Sequence, residues 1–235
     1  MVTILEPSAG SLSGIKILKD VDPDARGQIA QACIGRRVPA GHEFVRHAEE
    51  TDDLYFIVSG RVRATIYSRG GREVTFRDLS SGETFGELSA IDSAPRSASV
   101  VASVESTILT ISGEAFRDIL VRFPSVAMVV MRELTALVRL LSDRVVEFST
   151  LGVNNRIHAE LLRLAREHDS EGGGAVIKPS PTHADIASRI SCNREAVTRE
   201  FNRLKSSNVI EPSGRTLIIP NLARLERMVA DVQGN

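Results

Sequence analysis

The hydrophobic pattern of the chain changes period along its length, and each period predicts a different kind of element. Between Leu54 and Ile111, apolar and polar residues alternate in short runs that turn residues separate. A period of two predicts β-strands, and regular turns between short strands indicate a compact antiparallel barrel or roll. The expected strands are Leu54–Val58, Val62–Ile66, a run from Val74 to Arg77, Ser97–Val104 and Ser106–Ile111, with a hairpin turn at Ser68–Gly71.

Helical signals lie on both sides of this region. Asp22 followed by Pro23 is typical of an N-cap and a first helical residue, which predicts a short helix ending near Cys33. Ser112 is placed to cap a second helix, which we expect to end at Phe123 because a proline follows it.

The longest helical pattern runs from Pro124 to about Phe148. Its apolar residues recur at alternating steps of three and four, which is typical of a coiled-coil seam. We therefore expect a homodimer, because a small barrel gives such a long helix little surface to pack against. The alternative is a helix packed on its own domain. The expected dimerisation residues are Val130, Leu134, Leu137, Leu141, Val145 and Phe148.

A second domain is expected after a hinge at Ser149–Asn155. It begins with an amphipathic helix at Arg156–His168, and a glycine-rich loop follows at Glu171–Gly174. The predicted organisation is an N-terminal domain at 1–123, a dimerisation helix and hinge at 124–150, and a C-terminal domain at 151–235. The fold class is α+β, with an N-terminal antiparallel β-roll, a long helix and a C-terminal winged helix-turn-helix.

The segment from Thr182 to Lys205 carries the helix-turn-helix pattern. Thr182 with Asp185 three residues later predicts a capping box at the start of the first helix. Ser191 to Asn193 forms the expected turn, and basic residues then cluster at the front of a second helix, where they can reach base edges and phosphates. Two short strands, Val209–Ile210 and Leu217–Ile219, with a turn at Glu211–Arg215, predict the wing.

The stretch ISCNREAVTREFNRLKSSNVIEPSGRTLII resembles the DNA-binding domain of the CRP/FNR family of bacterial regulators. Ser191 departs from the glycine that the family usually has in the turn. The resemblance implies palindromic DNA with TGTGA-like half-sites and contact with RNA polymerase. The alternative is a solvated charged helix in an unrelated domain. The DNA-binding residues that the resemblance implies are Asn193, Arg194, Glu195, Thr198, Arg199 and Lys205.

A second constellation lies at Phe85–Ser89 and Pro95–Ala98. Gly86 permits close backbone approach, Glu87 can accept a hydrogen bond from a ribose hydroxyl, and Arg96 can form a charged fork on a phosphate. The pattern resembles the phosphate-binding segment of cyclic nucleotide-binding domains. A structural Glu87–Arg96 ion pair is the alternative. The ligand-binding residues expected on this resemblance are Gly86, Glu87, Leu88, Arg96, Ser97 and Ser142.

The resemblance implies a cyclic nucleotide effector, cAMP in the first place. Leu141 and Ser142 stand where the family has a Thr-Ser pair for adenine, so the identity of the base stays open. The alternatives are a regulator gated by cGMP, cyclic di-GMP or another effector, and a ligand-independent regulator.

The composition of the chain restricts the possible classes of protein but does not indicate a function. The chain has no run of 18 apolar residues, and we expect a cytoplasmic protein without a membrane span. Residues 151–235 hold 12 Lys and Arg against 10 Asp and Glu, so net charge alone gives no nucleic-acid signal. Cys33 and Cys192 match no ligand spacing, although oxidation of Cys192 could disturb DNA contacts beside the second helix.

Two other classes of function are the alternatives to a DNA-binding regulator. An enzyme on a cupin-like barrel needs a metal, but His42 and His47 have no third ligand, and we expect neither metal nor catalysis. A nucleotide-binding regulatory module for a partner protein is disfavoured because the chain carries the helix-turn-helix pattern.

Overall fold

The computed structural model describes residues 2–67, 73–168 and 173–233. Apart from residues 69–74, the chain up to Leu137 forms one compact unit, and the chain from Val138 forms a second. The hairpin turn predicted at Ser68–Gly71 and the first half of the loop at Glu171–Gly174 lie outside the described residues. The sequence-based division keeps 124–150 as a segment of its own, and the boundary between the two units falls between Leu137 and Val138 in the chain.

The first unit is an antiparallel roll of two sheets, as the alternating pattern predicts. One sheet has the order β1-β2-β9-β4-β7 and the other the order β3-β8-β5-β6. The first sheet contains β1 (Thr3–Leu5), β2 (Ile34–Val38), β4 (Leu54–Ser59), β7 (Thr84–Phe85) and β9 (Ser106–Ile111). The second contains β3 (Glu43–Val45), β5 (Arg61–Tyr67), β6 (Glu73–Ser80) and β8 (Ser99–Ala102), which is shorter than the predicted Ser97–Val104.

Strand β4 is buried on both faces. Leu54 and Phe56 belong to a core shared with the helices of the unit, and Tyr55 and Ile57 belong to the core between the sheets. This is why the segment is apolar at nearly every position and not only at alternate ones. The strand therefore holds the residues before and after it in fixed positions relative to both sheets.

Four helices lie in or begin in the first unit: α1 (Pro23–Gln31), α2 (Glu87–Asp92), α3 (Gly113–Arg122) and α4 (Pro124–Thr150). Both predicted caps are present, because Asp22 accepts from the amide of Ala25 at 2.9 Å and Ser112 from that of Ala115 at 3.3 Å. Two short 3₁₀ helices, at Ala9–Leu12 and Lys16–Leu18, complete the helical layer.

The start of α4 corrects the predicted dimer seam. Val130 is only 5% exposed and belongs to the core of its own unit, and Leu134 packs against the same core. Both were expected in an intermolecular seam. Periodic spacing marks the buried side of a helix but does not say what covers it, and here the β-roll covers these two positions.

The second unit contains α5 (Val153–Arg166), α6 (His183–Arg189), α7 (Arg194–Ser206) and α8 (Leu222–Gln233) with a small sheet. The sheet has the order β10-β12-β11, formed by Ala175–Ile177, Thr216–Ile219 and Glu211–Ser213. Strand β10 and helix α8 were not predicted. The α+β class, with a β-roll, a long helix and a helix-turn-helix with its wing, is confirmed.

Two boundaries in this unit differ from the prediction. Only Leu151 and Gly152 separate α4 from α5, so the connection is shorter than the expected hinge at Ser149–Asn155. Val209 and Ile210, expected as a wing strand, are buried in the core, and the strand follows them. Two adjacent apolar residues fit a buried turn as well as a strand, so the sequence could not separate these cases.

Candidate functional site

The first candidate site is a cradle around Gly86, between β7 and α2. Gly86 has a φ of +87°, a left-handed conformation that favours glycine. A Cβ at this position would lie 2.7 Å from Nη1 of Arg96 and 2.7 Å from the carbonyl oxygen of Asp53. Glycine is therefore required for two reasons, the backbone angle and the close approach of the Arg96 guanidinium.

Arg96 is held rigidly in this cradle. Its Nε donates to Oγ1 of Thr51 at 2.9 Å, and its Nη1 donates to the carbonyls of Asp53 at 2.9 Å and Gly86 at 3.3 Å. The guanidinium also lies 5.6 Å from the centre of the Tyr55 ring. The partners are neutral groups, which excludes the expected alternative of a direct Glu87–Arg96 ion pair among the described residues.

One nitrogen of the Arg96 guanidinium, Nη2, differs from the other two. Nη2 is buried and has no hydrogen-bond partner among the residues that the structure describes. Leaving a buried neutral donor without an acceptor costs about 1–3 kcal/mol, and leaving a charged donor such as a guanidinium unsatisfied costs more. An anion at this nitrogen satisfies the donor, and a phosphate fits because guanidinium forks bind phosphate oxygens.

Glu87 and a small cavity lie next to the cradle. Burial raises the pKa of the Glu87 carboxyl, and the carboxyl lines a cavity together with Arg77 and Thr84 of the strands. Helix α4 closes the cavity with Val130, Glu133, Leu134 and Leu137. The volume is about 10 Å³, room for about one water molecule, whereas ligand pockets are typically about 300–1,000 Å³. A nucleotide base can enter only if these side chains move.

The other predicted ligand residues have separate surroundings. Leu88 and Ser97 are exposed in the first unit, on either side of the cradle in sequence. Ser142 is exposed in the second unit, and its hydroxyl donates to the carbonyl of Val138 at 2.9 Å, within its own helix. The cradle thus brings together Gly86, Glu87 and Arg96, and the role of Ser142 stays a prediction.

The second candidate site is the exposed face of α7. The predicted capping box is present at α6, where Thr182 accepts from the amide of Asp185 at 3.1 Å and the Asp185 carboxylate accepts from the amide of Thr182 at 3.0 Å. Asn193 caps α7 by accepting from the amide of Ala196 at 2.8 Å. Ser191 has a φ of +52°, the strain expected where the family has glycine.

Five predicted DNA-binding residues are exposed, and the helix is anchored by its opposite face. Val197, Phe201 and Leu204 are buried in the core of the unit. Thr198 is half-buried, and its hydroxyl donates to the carbonyl of Arg194 at 3.0 Å and pairs with Nδ1 of His183 at 2.8 Å. The five exposed residues are Asn193, Arg194, Glu195, Arg199 and Lys205.

A buried charged cluster, which the sequence did not reveal, joins α7 to α5. His158 is 3% exposed and Glu200 is 2% exposed, and Nε2 of His158 lies 2.6 Å from Oε1 of Glu200. Arg203 donates to the same carboxylate from Nε and from Nη2. Burial acts to raise the pKa of Glu200, but the hydrogen bonds from Arg203 and His158 outweigh it and lower the pKa. Arg203 therefore pairs with Glu200 on its own helix.

A second buried cluster joins α5 to the end of α4 and to α6. Glu160 is fully buried and receives hydrogen bonds from Arg144 at 3.3 Å, from Arg189 at 3.3 Å and from Arg163. Arg163 also makes two bonds to Glu147, and Arg144 donates to the carbonyl of Arg189 at 2.8 Å. In sequence these residues look like ordinary solvated helix charges, and only the tertiary contacts identify them.

His42 and Cys33 have separate packing surroundings. Within the described residues, no group of three or more His, Cys, Asp or Glu is arranged to hold a metal ion. The His42 ring packs edge-on against Phe44 at 5.0 Å. Cys33 is buried, and burial raises the pKa of its thiol to about 12. No described helix is both long and apolar enough to cross a membrane.

Comparison with known proteins agrees with this geometry. A cyclic nucleotide-binding domain family matches residues 35–123, and a Crp-like helix-turn-helix domain family matches residues 155–228. The chain belongs to the CRP/FNR family of transcription regulators. It is thus a CRP-like regulator with a cyclic nucleotide-binding domain.

Two curated relatives extend the match over most of the chain. The CRP-like cAMP-activated global transcriptional regulator of Mycobacterium tuberculosis is 26% identical over 212 residues, 90% of this chain and 95% of that protein. The cAMP-activated global transcriptional regulator CRP of Salmonella typhimurium is 27% identical over 188 residues, 80% of this chain and 90% of that protein. The relatives are named as regulators and not as enzymes.

Solved structures show the same fold. A CooA variant from Carboxydothermus hydrogenoformans superimposes with a TM-score of 0.79 at 19% identity, covering 97% of this chain and 98% of that one. The c-di-GMP responsive regulator CLP of Xanthomonas campestris has a TM-score of 0.72 at 21% identity, covering 84% of this chain and 99% of that one.

Proposed function

We propose that this CRP/FNR-family regulator is a homodimer whose affinity for DNA is controlled by a cyclic nucleotide. The observation that carries the nucleotide part is the buried, unpartnered Nη2 of Arg96 beside Gly86. A cyclic phosphate supplies the missing acceptor, and Glu87 next to it can accept from the ribose hydroxyl. The names of the two curated relatives support cAMP, which the sequence also favoured.

The dimer is supported by an exposed apolar stripe on the second half of α4. Val138 is 62% exposed, Leu141 39%, Val145 64% and Phe148 39%. These residues follow each other at steps of three, four and three, the spacing of a coiled-coil seam. If a partner copy of the helix covers this stripe, a two-fold axis relates the two α7 helices.

The exposed face of α7 supports the DNA part. Arg194 and Arg199 can form bidentate bonds to guanine O6 and N7, and Glu195 can accept from a cytosine amino group. A two-fold axis demands a palindrome with half-sites about one helical turn apart. TGTGA-like half-sites, RNA polymerase as a partner and a cytoplasmic location follow from the family resemblance and belong to this proposal.

One observation favours a second candidate, a regulator that binds DNA without any nucleotide. The cavity beneath α4 has about 10 Å³, far below the size of typical ligand pockets at about 300–1,000 Å³. In that case the Arg96 cradle would be purely structural.

Selection from a random DNA library, with and without cyclic nucleotide, tests the proposal. We expect enrichment of a palindrome that depends on added nucleotide. Arg194→Ala should cost about 1–3 kcal/mol and relax one base position, whereas Lys205→Ala, the matched control, should weaken all sequences alike. Equal enrichment without nucleotide favours the second candidate. A non-palindromic site, or an unchanged Arg194→Ala profile, contradicts the assignment of α7 as the reading helix.

A further inference from the structure

The cavity beside Glu87 has an unusual charge balance. Glu87 and Glu133 both line it, and Arg77 is the cation that lines it with them. Arg77 donates from Nη2 to Glu83 at 2.8 Å, and Glu83 is also 3.6 Å from the Lys16 ammonium. The surroundings therefore contain three carboxylates and two cations, so they offer an excess of hydrogen-bond acceptors.

Glu133 is the second carboxylate that lines the cavity. It lies on α4 opposite the strands, and among the residues that the structure describes no hydrogen bond or ion pair reaches it. Burial raises the pKa of its carboxyl, while the charge of Arg77 acts to lower it. A carboxylate that lines the cavity can accept hydrogen bonds from a ligand that brings donors.

We propose that Glu133 and Arg77 read the base of the bound nucleotide and select guanine over adenine. This inference rests on the proposed function, since it assigns the base that accompanies the phosphate held by Arg96. Guanine presents two convergent donors, its N1–H and its N2 amino group, which match the two oxygens of Glu133. Its O6 and N7 are acceptors for a guanidinium such as that of Arg77.

Adenine matches Glu133 and Arg77 less well than guanine does. It presents one amino group next to a ring nitrogen that accepts, so only one donor is available to the carboxylate and the second oxygen faces an acceptor. A site built for two donors rejects a ligand that lacks one of them, because a buried polar group then stays unpaired. The guanine can belong to cGMP or to cyclic di-GMP, and the experiment has an arm for each.

Calorimetry on the full-length chain with cGMP, cyclic di-GMP and cAMP tests the inference. We expect a guanine nucleotide to bind the wild type at least about tenfold more tightly than cAMP, a difference of about 1.4 kcal/mol. Glu133→Gln replaces one acceptor by a donor, which matches the edge of adenine. This variant should lose about tenfold in affinity for the guanine nucleotide and lose nothing for cAMP.

Glu105→Gln, at an exposed position in the same unit, is the control and should change neither affinity. Thermal melting of each variant shows whether it is folded. A wild type that prefers cAMP, or a Glu133→Gln variant that weakens all nucleotides equally, overturns the inference and leaves the proposed function intact. A wild type that binds none of the three contradicts the proposed function itself, and the inference falls with it.

Discussion

Arg96 and Gly86 are packed so closely that each restricts the other. Nη1 of Arg96 donates to the carbonyl of Gly86 at 3.3 Å, and the missing side chain of Gly86 provides the space that the guanidinium occupies. The cradle thus exists because a glycine precedes α2 and an arginine precedes β8. It is a local arrangement that can be tested apart from any ligand.

Gly86→Ala should destabilise the first unit more than Gly41→Ala does. Both glycines have a positive φ, +87° and +82°, but only Gly86 has atoms within 3 Å of the added Cβ, whereas Gly41 has open space. Backbone strain of about 1 kcal/mol is common to both, and the collision at Gly86 should add roughly 1–3 kcal/mol. Urea unfolding measures the difference. Equal losses in the two variants would show that the close contact with Arg96 is unimportant.

Arg96→Ala should abolish tight nucleotide binding. The lost fork serves a phosphate shielded from water, so about 2–4 kcal/mol is expected, roughly 30- to 1,000-fold in affinity. Arg96→Lys should also bind weakly, because an ammonium cannot reproduce the fork. Calorimetry checks both, with Arg37→Ala at an exposed position of β2 as the control. A folded Arg96→Ala variant with wild-type affinity would remove Arg96 from the site.

Glu200 should make stability depend on pH below neutrality. Its pKa is lowered in the folded chain, despite the opposing effect of burial, by bonds from Arg203 and His158. The stabilisation is therefore complete above the unfolded pKa of about 4.3 and is lost as the pH falls through the lower folded-state pKa. The wild type should exceed Glu200→Gln in stability at pH 6, and this advantage should shrink toward pH 3.

Thermal unfolding across that pH range measures the advantage, and Glu226→Gln at an exposed ion pair is the matched control. A difference between wild type and Glu200→Gln that stays constant from pH 6 to pH 3 would contradict the assigned role of the carboxylate.

Val145→Glu should convert a dimer into a monomer. Val145 is 64% exposed on the apolar stripe of α4, and covering a valine contributes about 1.5–3 kcal/mol per copy. Val121→Glu, at an 81% exposed residue of α3, should leave the mass unchanged. Analytical ultracentrifugation reports the mass of each variant. A Val145→Glu protein that remains a stable dimer would place the interface elsewhere.

The sequence predicted the elements whose signals are local. Period-two alternation identified β5, and caps identified the starts of α1, α3 and α6, because each depends on neighbours in the chain. The burial of Val130 in its own unit could not be predicted, because the heptad spacing is the same whether a partner helix or the β-roll covers this residue. The partnership of His158 with Glu200 spans 42 residues in sequence and leaves no local pattern. Glu133 was missed for the same reason, because only the fold places it on the cavity.

The central claim is that nucleotide binding and DNA binding are coupled, and DNA affinity measured with and without nucleotide tests it most directly. Fluorescence anisotropy of a selected palindromic duplex gives that affinity for the wild type and for Arg96→Ala. We expect saturating nucleotide to tighten specific binding by about 5- to 150-fold, the usual range of coupling between two sites, and Arg96→Ala to show no such change. A wild type that binds nucleotide in calorimetry while its DNA affinity stays the same would contradict the account.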